Sequence, residues 1–201
     1  TTYDYSYTSG GGGGPITGSG TVAAAGETIG PEDLGALNDG TVTLSVTLTD
    51  TAGNTGIAAT DTSELDATVP SGYTVTISDG GDGYINNAED NAVNFVFSGA
   101  EVGTTYDYSY TSGGGGGPIT GSGTVAAAGE TIGPEDLGPL NDGTVTLSVT
   151  LTDDAGNVGA ADTDTSELDT TPPTLSYVSI YSDNANTDTA KIGDQITIDM
   201  T

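Results

Sequence analysis

The plainest pattern in the chain is an alternation. Across 144–152, Val145, Leu147, Val149 and Leu151 take every second position, and Thr or Ser takes the others. A period of two puts the apolar set on one face of a β-strand and the hydroxyl set on the other. Thr is β-branched and suits a solvated pleated surface. The same reading predicts six further strands in this region. They are Tyr73-Val75-Ile77, Val93-Phe95-Phe97, Tyr106-Tyr108-Tyr110, and the stretches 119–126, 131–137 and 158–168. Turn residues separate several of them at 113–118, at Asn141-Asp142-Gly143 and at Asp154-Ala155-Gly156-Asn157. No stretch of helix length has a 3.6-residue period.

The chain repeats itself. Residues 1–66 recur at 104–169, an offset of 103, with 61 of 66 positions identical. The differences are Ala36/Pro139, Thr51/Asp154, Thr55/Val158, Ile57/Ala160 and Ala59/Asp162. That period is too long for a solenoid unit and matches one small domain. Each copy ends in Ser-Glu-Leu-Asp followed by a proline-bearing linker, Val69-Pro70 in one case and Pro172-Pro173 in the other. Proline ends β pairing there. The expected division is therefore a complete repeat at 69–171, the back part of a preceding copy at 1–68, and the opening of a divergent module at 172–201.

About seven short strands in some 100 residues predict an all-β chain of tandem immunoglobulin-like β-sandwich domains with Greek-key order. An up-and-down barrel is the rival. In the Greek-key arrangement the loops 99–103, 127–130 and 153–157 gather at the entry pole of the repeat. The loop 79–91, the two turn regions 113–118 and 138–143, and the exit linker gather at the other. In a tandem array the exit pole of one repeat faces the entry pole of the next.

Composition changes this picture in one respect. Leu, Ile, Val and Phe together number only 37 of 201 residues, and the net charge is −28. Those values alone predict disorder; the strict alternation argues against it. With no His and no Cys, the commonest acid–base and thiol chemistries are missing. Paired carboxylates can hydrolyse glycosides, but no Trp accompanies them, so an enzyme is not expected. One cation, Lys191, cannot neutralise phosphates, so neither nucleic acid nor an anionic membrane is an expected partner. No run of 18 apolar residues exists for membrane insertion. The only Met is Met200, so the chain is expected to be part of a longer polypeptide.

The remaining chemistry is carboxylate. The stretch 79–90 holds Asp79, Asp82, Glu89 and Asp90 with two Asn and three Gly. Hard Ca²⁺ takes six to eight oxygens, so an irregular calcium loop is one reading and a solvated acidic loop the other. Its D-G-x-I-x-x-x-E run resembles half of an EF-hand loop, but Ser78 and Gly80 stand where ligands belong and no helices flank it. A second acidic group would meet at the junction. The exit linkers supply Glu64 and Asp66, or Glu167 and Asp169. The loop 153–157 supplies Asp153, Asp154 and Asn157, matched by Asp50 and Asn54 in the first copy. Glu101 and Glu130 belong to the same pole. The T-D-x-A-G-N form is equally a good turn. Two unit charges about 4 Å apart repel by roughly 4 kcal/mol at an effective dielectric of 20, and the chain has no counter-charge of its own. Divalent cations that bind only the docked state would stabilise it.

The T-L-T-D-x-A-G-N turn, the D-G-x-I-N-x-A-E loop and the D-x-T-x-P junction together resemble the Ig-like repeats of giant RTX-type bacterial adhesins, the biofilm-forming and ice-adhesin-like surface proteins. The resemblance covers the whole repeat and extends into 174–201. It implies a secreted, extracellular extender region that carries a ligand-binding domain away from the cell. Its implied partners are neighbouring repeats of the same chain, and its implied cofactor is Ca²⁺ at the linkers, pointing to Asp79, Asp82, Glu89, Asp66 and Asp169. Direct carbohydrate binding is the alternative, with Tyr106, Tyr108 and Tyr110 as stacking platforms; ordinary core packing explains the same three residues. The glycine run 113–117 matches no pattern of the family.

Overall fold

The computed structural model describes residues 1–201 and contains only strands. β1 (Thr2–Ser9), β2 (Ile16–Thr21), β3 (Gly40–Thr49) and β4 (Ala59–Leu65) form one antiparallel sheet in the order β2-β1-β3-β4. The next eight strands form two sheets. β5 (Thr74–Ser78), β7 (Val93–Ser98) and β10 (Thr131–Glu135) make the first, ordered β10-β7-β5. β6 (Tyr84–Asn86), β8 (Thr105–Ser112), β9 (Ile119–Thr124), β11 (Gly143–Thr152) and β12 (Asp162–Asp169) make the second, ordered β6-β12-β11-β8-β9. β13 (Val178–Ser182) and β14 (Ile196–Met200) pair by themselves. Two separate open sheets exclude the barrel; this is an immunoglobulin-like sandwich.

The alternation does the work foreseen. Val145, Leu147, Val149 and Leu151 of β11 are fully buried, and Tyr106, Tyr108 and Tyr110 of β8 lie beside them. Phe95 and Phe97 of the opposite sheet meet these rings at centroid distances of 5.3 Å for Phe95–Tyr108 and 5.5 Å for Phe97–Tyr106. Burial of such aromatics supplies most of what a core poor in Leu and Ile would lack.

Two features of the glycine usage become intelligible. In β9, Gly121 and Gly123 pair with Tyr108 and Tyr106. The phenol rings lie over them, and a Cβ on Gly121 would sit 2.3 Å from the Tyr108 hydroxyl oxygen. The run 113–117 packs against the β10–β11 connection. A Cβ on Gly114 would fall 2.0 Å from the Asp142 carbonyl oxygen, so close backbone approach explains glycine there.

The structure departs from the sequence reading in two places. The stretch 79–91 is not one loop, because β6 within it pairs in parallel with β12, placing Ile85 beside Leu168. Ile85 is fully buried, so its apolar side chain is what pulls the segment onto the sheet, and the repeat has eight strands. The last strand also begins later than 158. Gly159 is pressed against Pro70, where a Cβ would lie 2.4 Å from the Pro70 carbonyl oxygen.

Candidate functional site

The loops sort to two poles as the Greek-key order requires. At the entry pole Gly103 donates to the Val125 carbonyl and Ala100 to the Ala128 carbonyl. At the exit pole Leu137 donates to the Asp90 carbonyl and Asn141 to the Gly115 carbonyl. The linkers cross between poles, and their bonding is the most constructed feature of the surface.

Each linker is held by one aspartate of the Asn-Asp-Gly turn. Asp142 Oδ1 accepts the Thr170 amide at 2.9 Å and the Thr170 hydroxyl at 2.8 Å, and its Oδ2 accepts the Thr171 hydroxyl at 2.6 Å. Asp39 repeats the arrangement, accepting the Ala67 amide at 2.8 Å and the Thr68 hydroxyl at 2.5 Å. The Thr171 hydroxyl, then the Thr170 amide, hold Asp142 below the ordinary carboxylate range. Thr68 and Ala67 do the same for Asp39. In the sequence, Asn141-Asp142-Gly143 signals a turn only. Its second role depends on residues 28 positions further on, which no local pattern reveals.

The first linker is also seated on the repeat it enters. Asn157 Nδ2 donates to the Asp66 carbonyl at 3.0 Å and to Asp153 Oδ2 at 2.9 Å. Asp153 Oδ1 takes the Asn157 amide at 2.8 Å. Asn157 thus joins the linker to the turn, and its side chain is the chief cause of the lowered Asp153 pKa. Asp50 and Asn54 form the same turn in the first copy.

The other expected site residues are engaged locally. Asp79 accepts the Gly81 amide and the Ser166 hydroxyl, and Asp82 the Tyr84 amide. Glu89 accepts the amide and side-chain nitrogen of Asn86. Asp90 contributes its carbonyl to Leu137. Asp66 and Asp169 cap Thr68 and Thr171 within the linkers. Glu64 and Glu167 reach across strands to Thr41 and Thr144. Glu101 presents its carbonyl to Thr104, and Glu130 caps the Ala126 amide. Asp154 is exposed. The donors have the chemistry of a hard-cation site, and no three Asp or Glu side chains gather at one point in this structure.

Two functional aspartates escaped the sequence reading. Asp162 Oδ2 accepts the Val75 amide at 2.7 Å and Asp164 Oδ2 the Ile77 amide at 2.8 Å. These inward carboxylates of β12 occupy the open edge of β5 and join the two sheets. The signal lay in the alternation of Asp162, Asp164, Ser166 and Leu168 on one face. Tyr106, Tyr108 and Tyr110 are at most 8% exposed, and Tyr108 donates to Glu135 Oε1 at 2.5 Å. Their faces are covered by Phe95 and Phe97, which leaves none for a sugar.

Residues 119–170, about a quarter of the chain, match the family model of a bacterial Ig-like domain. Comparison with curated proteins gave no match. Among solved structures, 17 chains match. One is a tetra-tandem repeat in the extending region of a large adhesion protein. It is 20% identical, with 99% of this chain and 55% of that chain covered and a TM-score of 0.46. Another is a Ca²⁺-stabilized adhesin that helps an Antarctic bacterium reach out and bind ice. It is 24% identical, with coverage of 89% and 42% and a TM-score of 0.48. The chain therefore spans about half the length of these two solved chains.

Proposed function

We propose that the chain is a spacer in a bacterial cell-surface adhesin, made of β-sandwich repeats divided at 68/69 and 171/172, and that it performs no chemistry. The observation that carries this reading is the first linker, anchored at both ends. Asp39 holds Ala67 and Thr68 as the chain leaves one repeat, while Asn157 holds Asp66 and Gly159 abuts Pro70 on the next. A joint tied to both neighbours resists bending more than a flexible linker does. Near-identical copies suit a part whose product is length rather than a unique receptor surface. The buried tyrosines weigh against direct carbohydrate binding. No helix is long and apolar enough to cross a membrane, and an extracellular position belongs to the same proposal.

Calcium enters this reading as a counter-ion for a chain of net charge −28, drawn to the carboxylates at the two poles of the repeat. Asp66, Asp153 and Asp154 at one pole, and Asp79, Asp82, Glu89, Asp90 and Asp169 at the other, are the groups it would screen. Small-angle scattering of dilute protein tests both parts. The maximum dimension should fall in the Asp39→Ala, Asn157→Ala double variant. Calcium should extend the chain more than sodium at equal ionic strength, and chelator should reverse this. A dimension indifferent to the double variant would refute the anchored joint; one indifferent to calcium would remove calcium and leave the joint standing.

A further inference from the structure

Four strand edges bound the two sheets of the complete repeat, and three of them are closed against further pairing. β5 has its Val75 and Ile77 amides taken by Asp162 and Asp164. β10 carries Pro134, which has no amide, and its register with β7 shifts between Ile132 and Glu135. β6 is only three residues long and lies between Asp82 and Glu89. Inward carboxylates, proline, irregular register and shortness all keep an edge from recruiting another strand. β9 has none of these. Its six residues, Ile119–Thr124, pair with β8 in unbroken register and include neither proline nor charge.

The open groups of this edge follow from the ladder. Val125 donates to the Thr104 carbonyl. Backbone groups alternate in direction along an antiparallel strand, so the amides and carbonyls of Thr120, Ser122 and Thr124 point away from β8. Between them, Gly121 and Gly123 present no side chain to an incoming strand. Charge is absent as well. Residues 108–129 hold no Asp, Glu, Lys or Arg, in a chain with 29 acidic residues. Two carboxylates flank the strand: Asp107 stands opposite Ser122 on β8, and Glu135 lies on the core side, bonded to the Tyr108 hydroxyl.

We infer that β9 is a lateral docking edge, and that its partner is β9 of a second copy of this chain, antiparallel about a two-fold axis at Ser122. The edge is complementary to itself. Ser122 meets Ser122 of the copy, Thr120 meets Thr124, and each gives one amide hydrogen bond and takes one. Gly121 faces Gly123, so nothing collides. The two five-stranded sheets then run on as one. Charge selects the place and the partner. Two chains of net charge −28 can meet side by side along a strip without charge, whereas a basic partner would be drawn to the acidic poles. Asp107 would stand three strand spacings from its mate, roughly 14 Å, beyond the screening length of about 8 Å at physiological salt. The contact is isologous and closed. The first copy carries the same strand as β2, so an array of repeats would gain from pairing at many edges. Side-by-side contact goes beyond the spacer reading and does not depend on it.

Cross-linking of the whole chain tests the inference at one residue. The protein has no cysteine, so Ser122→Cys places a single thiol on the two-fold axis, where paired Cα atoms about 5.5 Å apart suit a disulfide. Under oxidised glutathione this variant should form covalent dimers at least about tenfold faster than Thr165→Cys, whose thiol is equally exposed on the outer face of β12 but meets no copy of itself. Sedimentation velocity supplies the second arm. Wild-type mass should rise with protein concentration, more steeply at high salt. The Ser19→Pro, Ser122→Pro double variant removes an outward amide from each edge while sparing the ladders to β1 and β8, and should stay monomeric. The cysteine arm stands whether or not proline is tolerated. Equal cross-linking rates for the two cysteine variants would overturn the proposal. So would a wild-type monomer at every concentration and salt, or association undiminished in the folded double variant.

Discussion

The same strand sequence lies in two environments in this chain. Gly-Thr-Val-Thr-Leu-Ser-Val-Thr-Leu-Thr forms β3 and β11. In β11 the four apolar side chains are fully buried, while in β3 only Val42 is. Thr-Ile-Gly-Pro-Glu is strand β10 in the complete repeat, bonded to β7, but makes no ladder at 28–32. Alternation thus specifies which face a strand will bury. It does not specify that the face is buried, because that depends on a partner tens of residues away. Edge segments such as 131–135 depend on the partner even for being strands.

Truncating one residue in both copies breaks or sharpens this comparison most directly. Tyr110→Ala should cost about 3–5 kcal/mol in urea unfolding, as large-to-small core changes do. Tyr7→Ala, at the matching position, should cost under about 1 kcal/mol; equal costs would mean that the first sheet is covered in solution. The next effect is Gly121→Ala, which forces the Tyr108 ring against Phe95 and should cost about 1–3 kcal/mol. Gly18→Ala should cost less, because Tyr5 has room to turn. Asp162→Ala leaves the Val75 amide unpaired and should cost about 1–3 kcal/mol, seen as faster amide exchange in β5. Its counterpart is already Ala59, and Ala59→Asp should change nothing in the isolated molecule.

The smallest effects concern pH. Asp39, Asp50, Asp142 and Asp153 have lowered pKa values. The stability they add is present above the ordinary carboxylate value of about 4 and is lost as pH falls through their lower folded values. Burial raises Tyr73, Tyr106, Tyr108 and Tyr110, and a bond to Glu32 lifts Tyr5 to about 12. Those contributions are whole below about pH 10 and decline as pH rises beyond it. Four of the five tyrosines lie in the complete repeat, so melting curves should show that repeat weakening first in alkali.

The sandwich and its repeat were legible because they rest on local period and on self-similarity. Val145 to Leu151 announce a strand, and 61 shared positions announce a domain. What was hidden depends on contacts between distant residues. Three residues around Ile85, set among turn formers, give no strand signal until Leu168 is beside them. Asp142 reads as a turn residue until the linker returns to it. The carboxylates at 79–90 read as a cluster in one dimension; in space those of Asp79, Asp82 and Glu89 turn toward separate amides and hydroxyls.

The parallel pair β6–β12 has a mechanical consequence. Tension along a tethered chain draws β5 and β6 back toward the entry pole and β12 forward toward the exit pole. The two strands lie side by side along that axis, so the pull slides one past the other. Their hydrogen bonds, with those from Val75 and Ile77 to Asp162 and Asp164, must then rupture together rather than peel one at a time. Tension between the two ends of this repeat would load these bonds in shear.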